Sequence, residues 1–105
     1  MAIRLIALDI DGTLIDNKQQ IPEANRRALV EASENGVEIV LVTGRRHDFA
    51  RPVVKTLEVP LTFITSNGAL VKNQEGVVIR RNLLTRRTAK RVLELTSRFR
   101  STAAV

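Results

Sequence analysis

Apolar and polar positions divide the chain into short segments of clearly different rhythm. IRLIALD, residues 3–9, is a nearly unbroken apolar run. Its length suits a strand, and the absence of alternation predicts one buried on both faces, as in a parallel sheet. After the loop DIDGTLID, Pro22 can open a helix, where its missing N–H does no harm. Ala24, Ala28, Leu29 and Ala32 then recur near helical spacing, with Glu23 and Glu31 among them, and Asn35-Gly36 supplies a stop. VEIVLVT, residues 37–43, predicts a second buried strand. Phe49, Val53, Val54 and Leu57 predict a second helix that runs to about Glu58, and Pro60 separates it from a third strand, LTFIT, at 61–65.

Strand, helix, strand, helix, strand is the order of an α/β domain, here a Rossmann-like parallel sheet with flanking helices. The rhythm changes after SNGA. ALVK and GVVIR flank KNQEG and predict a hairpin with a Gly-containing turn. TRRTAKRVLELTSRF follows, with Ala89, Val92, Leu93, Thr96 and Phe99 on one helical face. Arg86, Arg87, Lys90, Arg91, Glu94 and Arg98 take the other, and the closing STAAV is read as the start of a further strand.

At 105 residues the chain is long enough for one small core. It has no cysteine, which excludes disulfides and thiolate metal sites. No apolar stretch is long enough to span a bilayer, and the N-terminus lacks the pattern of a signal peptide, so a cytoplasmic protein without a membrane partner is expected. The formal charge of +6 is unevenly spread. Residues 1–43 carry four Lys/Arg against seven Asp/Glu, whereas residues 44–105 carry thirteen against four. A basic half of this kind can bind nucleic acid. Against that stand only three Phe, no Tyr or Trp to stack on bases, and a strand–helix order unlike the common nucleic-acid folds.

Ligands of open parallel sheets bind beyond the carboxyl ends of the strands. Those ends here are Asp9, Thr43-Gly44-Arg45 and Thr65-Ser66-Asn67-Gly68, all small, polar or charged where the apolar pattern stops. Asp9 and Asp11 are two residues apart, so in an extended chain they leave the same face. Two close carboxylates repel unless a cation or a proton lies between them. Mg²⁺, which favours oxygen ligands and phosphate, would keep Asp9 ionised for attack on phosphorus. Asp11 can then carry the proton to the leaving oxygen and later take one from water. Gly12 permits a sharp turn, with backbone N–H groups near it and near Ile10 available to phosphate oxygens. Thr43 offers a hydroxyl and an N–H to the same group. His47 is expected at the surface in the first turn of the second helix, and Asp16 in a loop.

DIDGTL resembles the first signature motif of the haloacid dehalogenase (HAD) superfamily, and VLVTGR the second. ITSNGALV resembles a stretch typical of its Cof-type phosphatase subfamily. The resemblance implies a Mg²⁺-dependent hydrolase, a phosphatase of small phosphorylated metabolites that works through an aspartyl-phosphate. It implies Asp9 as nucleophile and Asp11 as general acid/base. The side chain of Asp9 and the backbone carbonyl of Asp11 are implied metal ligands, and Thr43, Gly44, Arg45 and Asn67 contacts to phosphate or substrate. Two later motifs of the family, a Lys and an acidic G-D-x-x-N-D-like stretch, do not follow Gly68; Lys72 and Lys90 lack the matching context. The chain thus resembles the first third or so of a longer enzyme. Residues 1–82 are expected to form part of its core, and residues 83–105 the beginning of its α/β cap. On that reading the 105 residues alone have little activity. Two alternatives are a binding or assembly remnant, which could self-associate through an open sheet edge, and, less favoured, a basic nucleic-acid-binding protein.

Overall fold

Three apolar runs lie side by side as parallel strands: Leu5–Asp9 (β1), Glu38–Val42 (β2) and Leu61–Thr65 (β3). The computed structural model describes residues 2–102. Glu23–Glu34 (α1) and His47–Val53 (α2) make the crossovers that parallel pairing requires. The predicted hairpin forms as Leu70–Asn73 (β4) and Val78–Arg81 (β5), and β4 pairs antiparallel with β3. The sheet therefore has the order β1-β2-β3-β4-β5 and is mixed, parallel only in its first three strands. The hairpin continues the sheet instead of leaving it. Arg86–Leu95 (α3) follows, capped by the Thr85 hydroxyl, which accepts from the Thr88 N–H at 3.1 Å.

The core lies on one face of this sheet. Ile39 and Leu41 of β2 and Leu61 and Phe63 of β3 meet Leu29 of α1 and Ala50 of α2, together with Val54 and Leu57 just beyond it. Ile10 and Leu14, from the turn after β1, close the cluster at the strand ends. Burial of this kind contributes roughly 1.5–3 kcal/mol per large side chain, and it favours this register over any one-residue slip.

Several expectations change. β1 is not buried on both faces: Leu5, Ala7 and Asp9 are exposed and Ile6 and Leu8 are half-buried. Among the described residues, nothing pairs with its outer edge and no helix covers its second face. α2 ends at Val53 instead of near Glu58. Pro52 lies inside it and has no N–H to donate, so the short helix lacks the bond to the carbonyl four residues back and is weak near its end. Val54 and Leu57 stay buried in the turns that follow, which is why the apolar spacing read as helix. In α1 Leu29 is buried, whereas Ala24 and Ala28 face outward. Gly36 does end that helix, with φ +84° and the Val37 N–H returning to the Ala32 carbonyl at 3.0 Å.

α3 is amphipathic as predicted, but its apolar residues find little cover. Val92 and Leu95 are exposed, and the helix packs chiefly on the turn Ser97–Thr102 after it. The radius of gyration, 16.4 Å, exceeds the roughly 13 Å of a compact chain of this length, because α3 reaches away from the sheet. Ser101 and Thr102 close that turn instead of starting a strand; the remainder of STAAV lies outside the described residues.

Phe63→Ala should lower stability by about 3–5 kcal/mol, a large part of what a domain of this size possesses. Ile79→Lys, on the exposed hairpin, should change it by less than about 0.5 kcal/mol. Urea titration followed by circular dichroism measures both.

Candidate active site at the strand ends

Pairing Asp9 with Val42, and Val42 with Ile64, brings the three strand ends to one edge of the sheet. Beyond Asp9 the chain makes a wide turn over Ile10–Leu14, closed by the Ile15 N–H on the Ile10 carbonyl at 3.2 Å. Gly12 sits in it with φ +76°, a conformation other residues resist, and Asp11 before it stays extended. The alternation this produces is decisive for the site. Ile10 is fully buried in the core, and Asp9 and Asp11 on either side are exposed. The side chain of Ile10 therefore anchors the turn, and only its backbone is left for a ligand.

Thr43 extends β2. Its N–H donates to the Ile64 carbonyl at 2.9 Å, it is almost wholly buried, and its Oγ1 accepts from the Arg45 N–H at 3.0 Å. The loop after β3 is tied to the same place. The Ser66 N–H donates to the Arg45 carbonyl at 3.0 Å and the Asn67 N–H to the Thr43 carbonyl at 3.4 Å. Ser66, Asn67 and Gly68 are all left-handed, with φ of +52°, +55° and +96°. Such strain, of the order of 1 kcal/mol per non-glycine residue, persists only where the surroundings impose it. It lays the Asn67 amide across Gly44, where a Cβ would fall 2.9 Å from Oδ1. A side chain at 44 would therefore push the Asn67 amide aside.

The two carboxylates meet different surroundings. Arg45 grips Asp11 with both arms of its fork, Nε to Oδ2 at 2.8 Å and Nη2 to Oδ1 at 2.6 Å. Nη2 also donates to Oε1 of Gln19 at 2.7 Å. Asp9 accepts no side-chain hydrogen bond among the described residues. The hydrogen bonds from Arg45 hold the Asp11 carboxyl below its ordinary 3.8; partial burial opposes this and the guanidinium charge adds to it. The same pair pushes Arg45 further up. Asp11 is therefore kept as a carboxylate, the form that accepts a proton.

Asp9, Ile10, Asp11, Gly12, Thr43, Gly44, Arg45 and Asn67 thus lie at the carboxyl end of the three parallel strands, Ile10 with its side chain in the core. Arg45 is turned to Asp11, and Gln19, which carries no motif, joins them. His47 departs from expectation. Its ring packs edge-on to Phe63 with centroids 5.0 Å apart, and its Nε2 is buried with no partner among the described residues. Asp16 is in a loop, where Oδ1 accepts from the Lys18 and Gln20 N–H groups. As a test for a divalent cation, the Asp9 carboxylate and the Asp11 carbonyl are hard oxygens suited to Mg²⁺. No cluster of three or more acidic, His or Cys side chains stands beside them among the described residues. The donor set fits the ion but supplies only part of its coordination.

The sequence profile of the haloacid dehalogenase-like hydrolases matches residues 6–105. The chain belongs to that family. It is 33% identical over 91 residues to the phosphatase YwpJ of Bacillus subtilis, covering 87% of this chain and 32% of that protein. It is 38% identical over 82 residues to the 5-amino-6-(5-phospho-D-ribitylamino)uracil phosphatase YcsE of the same organism, covering 78% and 33% respectively. A haloacid dehalogenase-like hydrolase structure from B. subtilis superposes with a TM-score of 0.84 at 31% identity, over 93% of this chain and 34% of that one. The chain spans about a third of the length of these relatives.

Because the folded Asp11 value is depressed, its pairing contributes stability above the ordinary carboxylate range and loses it as pH falls through the folded value. Arg45→Gln should move the Asp11 titration upward, toward 3.8, when its carboxyl carbon is followed by NMR. An unchanged midpoint would mean that the pair does not form in solution.

Proposed function

We propose that the chain is the nucleophile-bearing part of a Mg²⁺-dependent phosphatase acting on small phosphorylated metabolites. The observation that supports it most is the division of labour between the carboxylates: Asp9 open, Asp11 held by a cation. Asp9 attacks phosphorus, forming an Oδ–P bond as the P–O bond to the leaving group breaks. To serve the departing oxygen, Asp11 first takes a proton from solvent, against the pull of its pair with Arg45, and then hands that proton over. It then takes a proton from the water that attacks the aspartyl-phosphate, and Asp9 is regenerated as inorganic phosphate leaves. The Thr43 N–H is committed to the Ile64 carbonyl. Its hydroxyl hydrogen remains for a phosphate oxygen, since Oγ1 accepts from the Arg45 N–H through a lone pair. Mg²⁺, held by the Asp9 carboxylate and the Asp11 carbonyl, would supply charge neutralisation at the phosphate. The phosphate monoester in the name of YcsE supports the substrate class. Residues 83–105, with α3, form the start of the cap in this reading.

The 105 residues hold neither the later Lys nor the further acids of the family pattern. One preorganised charge contact of this kind is worth roughly 3–4 kcal/mol, or about 10²–10³ in rate. Alone, the chain should therefore bind Mg²⁺ and inorganic phosphate weakly and turn over almost no p-nitrophenyl phosphate. Calorimetric binding that disappears in Asp9→Asn is the expected result; binding indifferent to Asp9 would count against the site. Mg²⁺-dependent turnover abolished by the same substitution would show that these residues suffice by themselves. A second reading, self-association, draws on the open β1 edge and on exposed Leu5 and Val42. It predicts a concentration-dependent mass in sedimentation that Asp9→Asn leaves untouched.

A further inference from the structure

Gln19 lies ten residues beyond Asp9, in a loop held by its own hydrogen bonds. Asp16 organises it: the Asp16 N–H donates to the Gln20 carbonyl at 2.8 Å, and the Gln19 N–H to the Asp16 carbonyl at 3.1 Å. Asp16 Oδ1 takes the Lys18 and Gln20 N–H groups. Gln19 is left-handed at the loop's tip, with φ +61°. Its amide oxygen is brought to Arg45, across 26 residues of sequence.

A guanidinium offers two edges able to hold an oxyanion by paired hydrogen bonds: Nε with Nη2, and Nη1 with Nη2. Asp11 occupies the first with both oxygens. Nη2 has one hydrogen left, on the second edge, and Gln19 takes it. A phosphate therefore cannot obtain a paired grip on Arg45 without displacing one of them. Asp11 holds by two charged bonds and Gln19 by one bond to a neutral amide, so Gln19 is the partner that yields.

We propose that Gln19 is a positioning residue that acts through Arg45, a latch fastening the Asp16–Gln20 loop to the mouth of the site until a phosphate oxyanion takes the Nη1–Nη2 edge. A paired phosphate grip on Arg45 and the latch are mutually exclusive, so that mode of occupancy is coupled to release of the loop. This rests on the phosphoryl-site reading above and adds to it a residue and a moving element.

The test uses Gln19→Ala and Gln19→Glu in the whole chain, with inorganic phosphate and Mg²⁺ as the probe. Rotation about the Arg45 Cζ–Nη2 bond, followed by NMR without ligand, should quicken several-fold in Gln19→Ala and slow in Gln19→Glu. Phosphate should bind about threefold more tightly to the alanine variant and more weakly to the glutamate variant, since a bond of this type is a modest, charge-dependent contribution. A residue of merely structural importance would not move the two variants in opposite directions. Unchanged rotation in Gln19→Ala, or weaker phosphate binding there, overturns the latch and leaves the phosphoryl site standing. Rotation that depends on Gln19, with no phosphate bound by wild type or variants, removes the phosphoryl site and the coupling together.

Discussion

Parallel pairing on both sides of β2 is the constraint from which the rest follows. The side chains of Ile39 and Leu41 point to the core only in one register, and that register sets Asp9 level with Val42 and Val42 level with Ile64. A slip of one residue would turn both out of the core and take Asp9 from its place beside Thr43. The alignment of three distant loops at one edge is thus a by-product of hydrophobic packing. Ile10 makes the link tighter, because the residue between the two carboxylates is itself part of the core.

Given that frame, electrostatics divides two residues of the same chemistry. Adjacent carboxylates would raise one another's affinity for protons if left alone. Arg45, brought in from the end of β2, settles on one of them and leaves the other exposed. Different environments for like groups are what would allow the proposed nucleophile and proton carrier to coexist. The strained run Ser66–Gly68 serves the same edge by carrying Asn67 onto Gly44.

Much of this was legible in the residues alone, and the parts that were not share a cause. Continuous apolar runs marked β1, β2 and β3, Asn35-Gly36 marked a stop, and the turn KNQEG marked the hairpin. Those signals are local. Periodicity overran α2 because Val54 and Leu57 are buried by tertiary packing beyond the end of the helix. It also placed β1 inside two layers, since an apolar run records what a strand can tolerate and not what covers it. His47 looked like a surface residue because Phe63, its ring partner, is far away in sequence. Asp11 and Arg45 carry family motifs, but their contact spans 34 residues, and Gln19 stands in a loop with no pattern.

The unequal cover of the strands has a consequence for how the molecule breathes. Local opening starts where few contacts resist it. β2 is hydrogen-bonded along both edges, whereas β1 is held along one and shows its second face to water. Amides of β1 and of the turn after it should therefore belong to the first cooperative unit to open, well before β2 and β3 let go. Asp9 stands at the end of that strand, so within these 105 residues the frequency of such excursions, and not the strength of the core as a whole, sets how long Asp9 keeps its place beside β2.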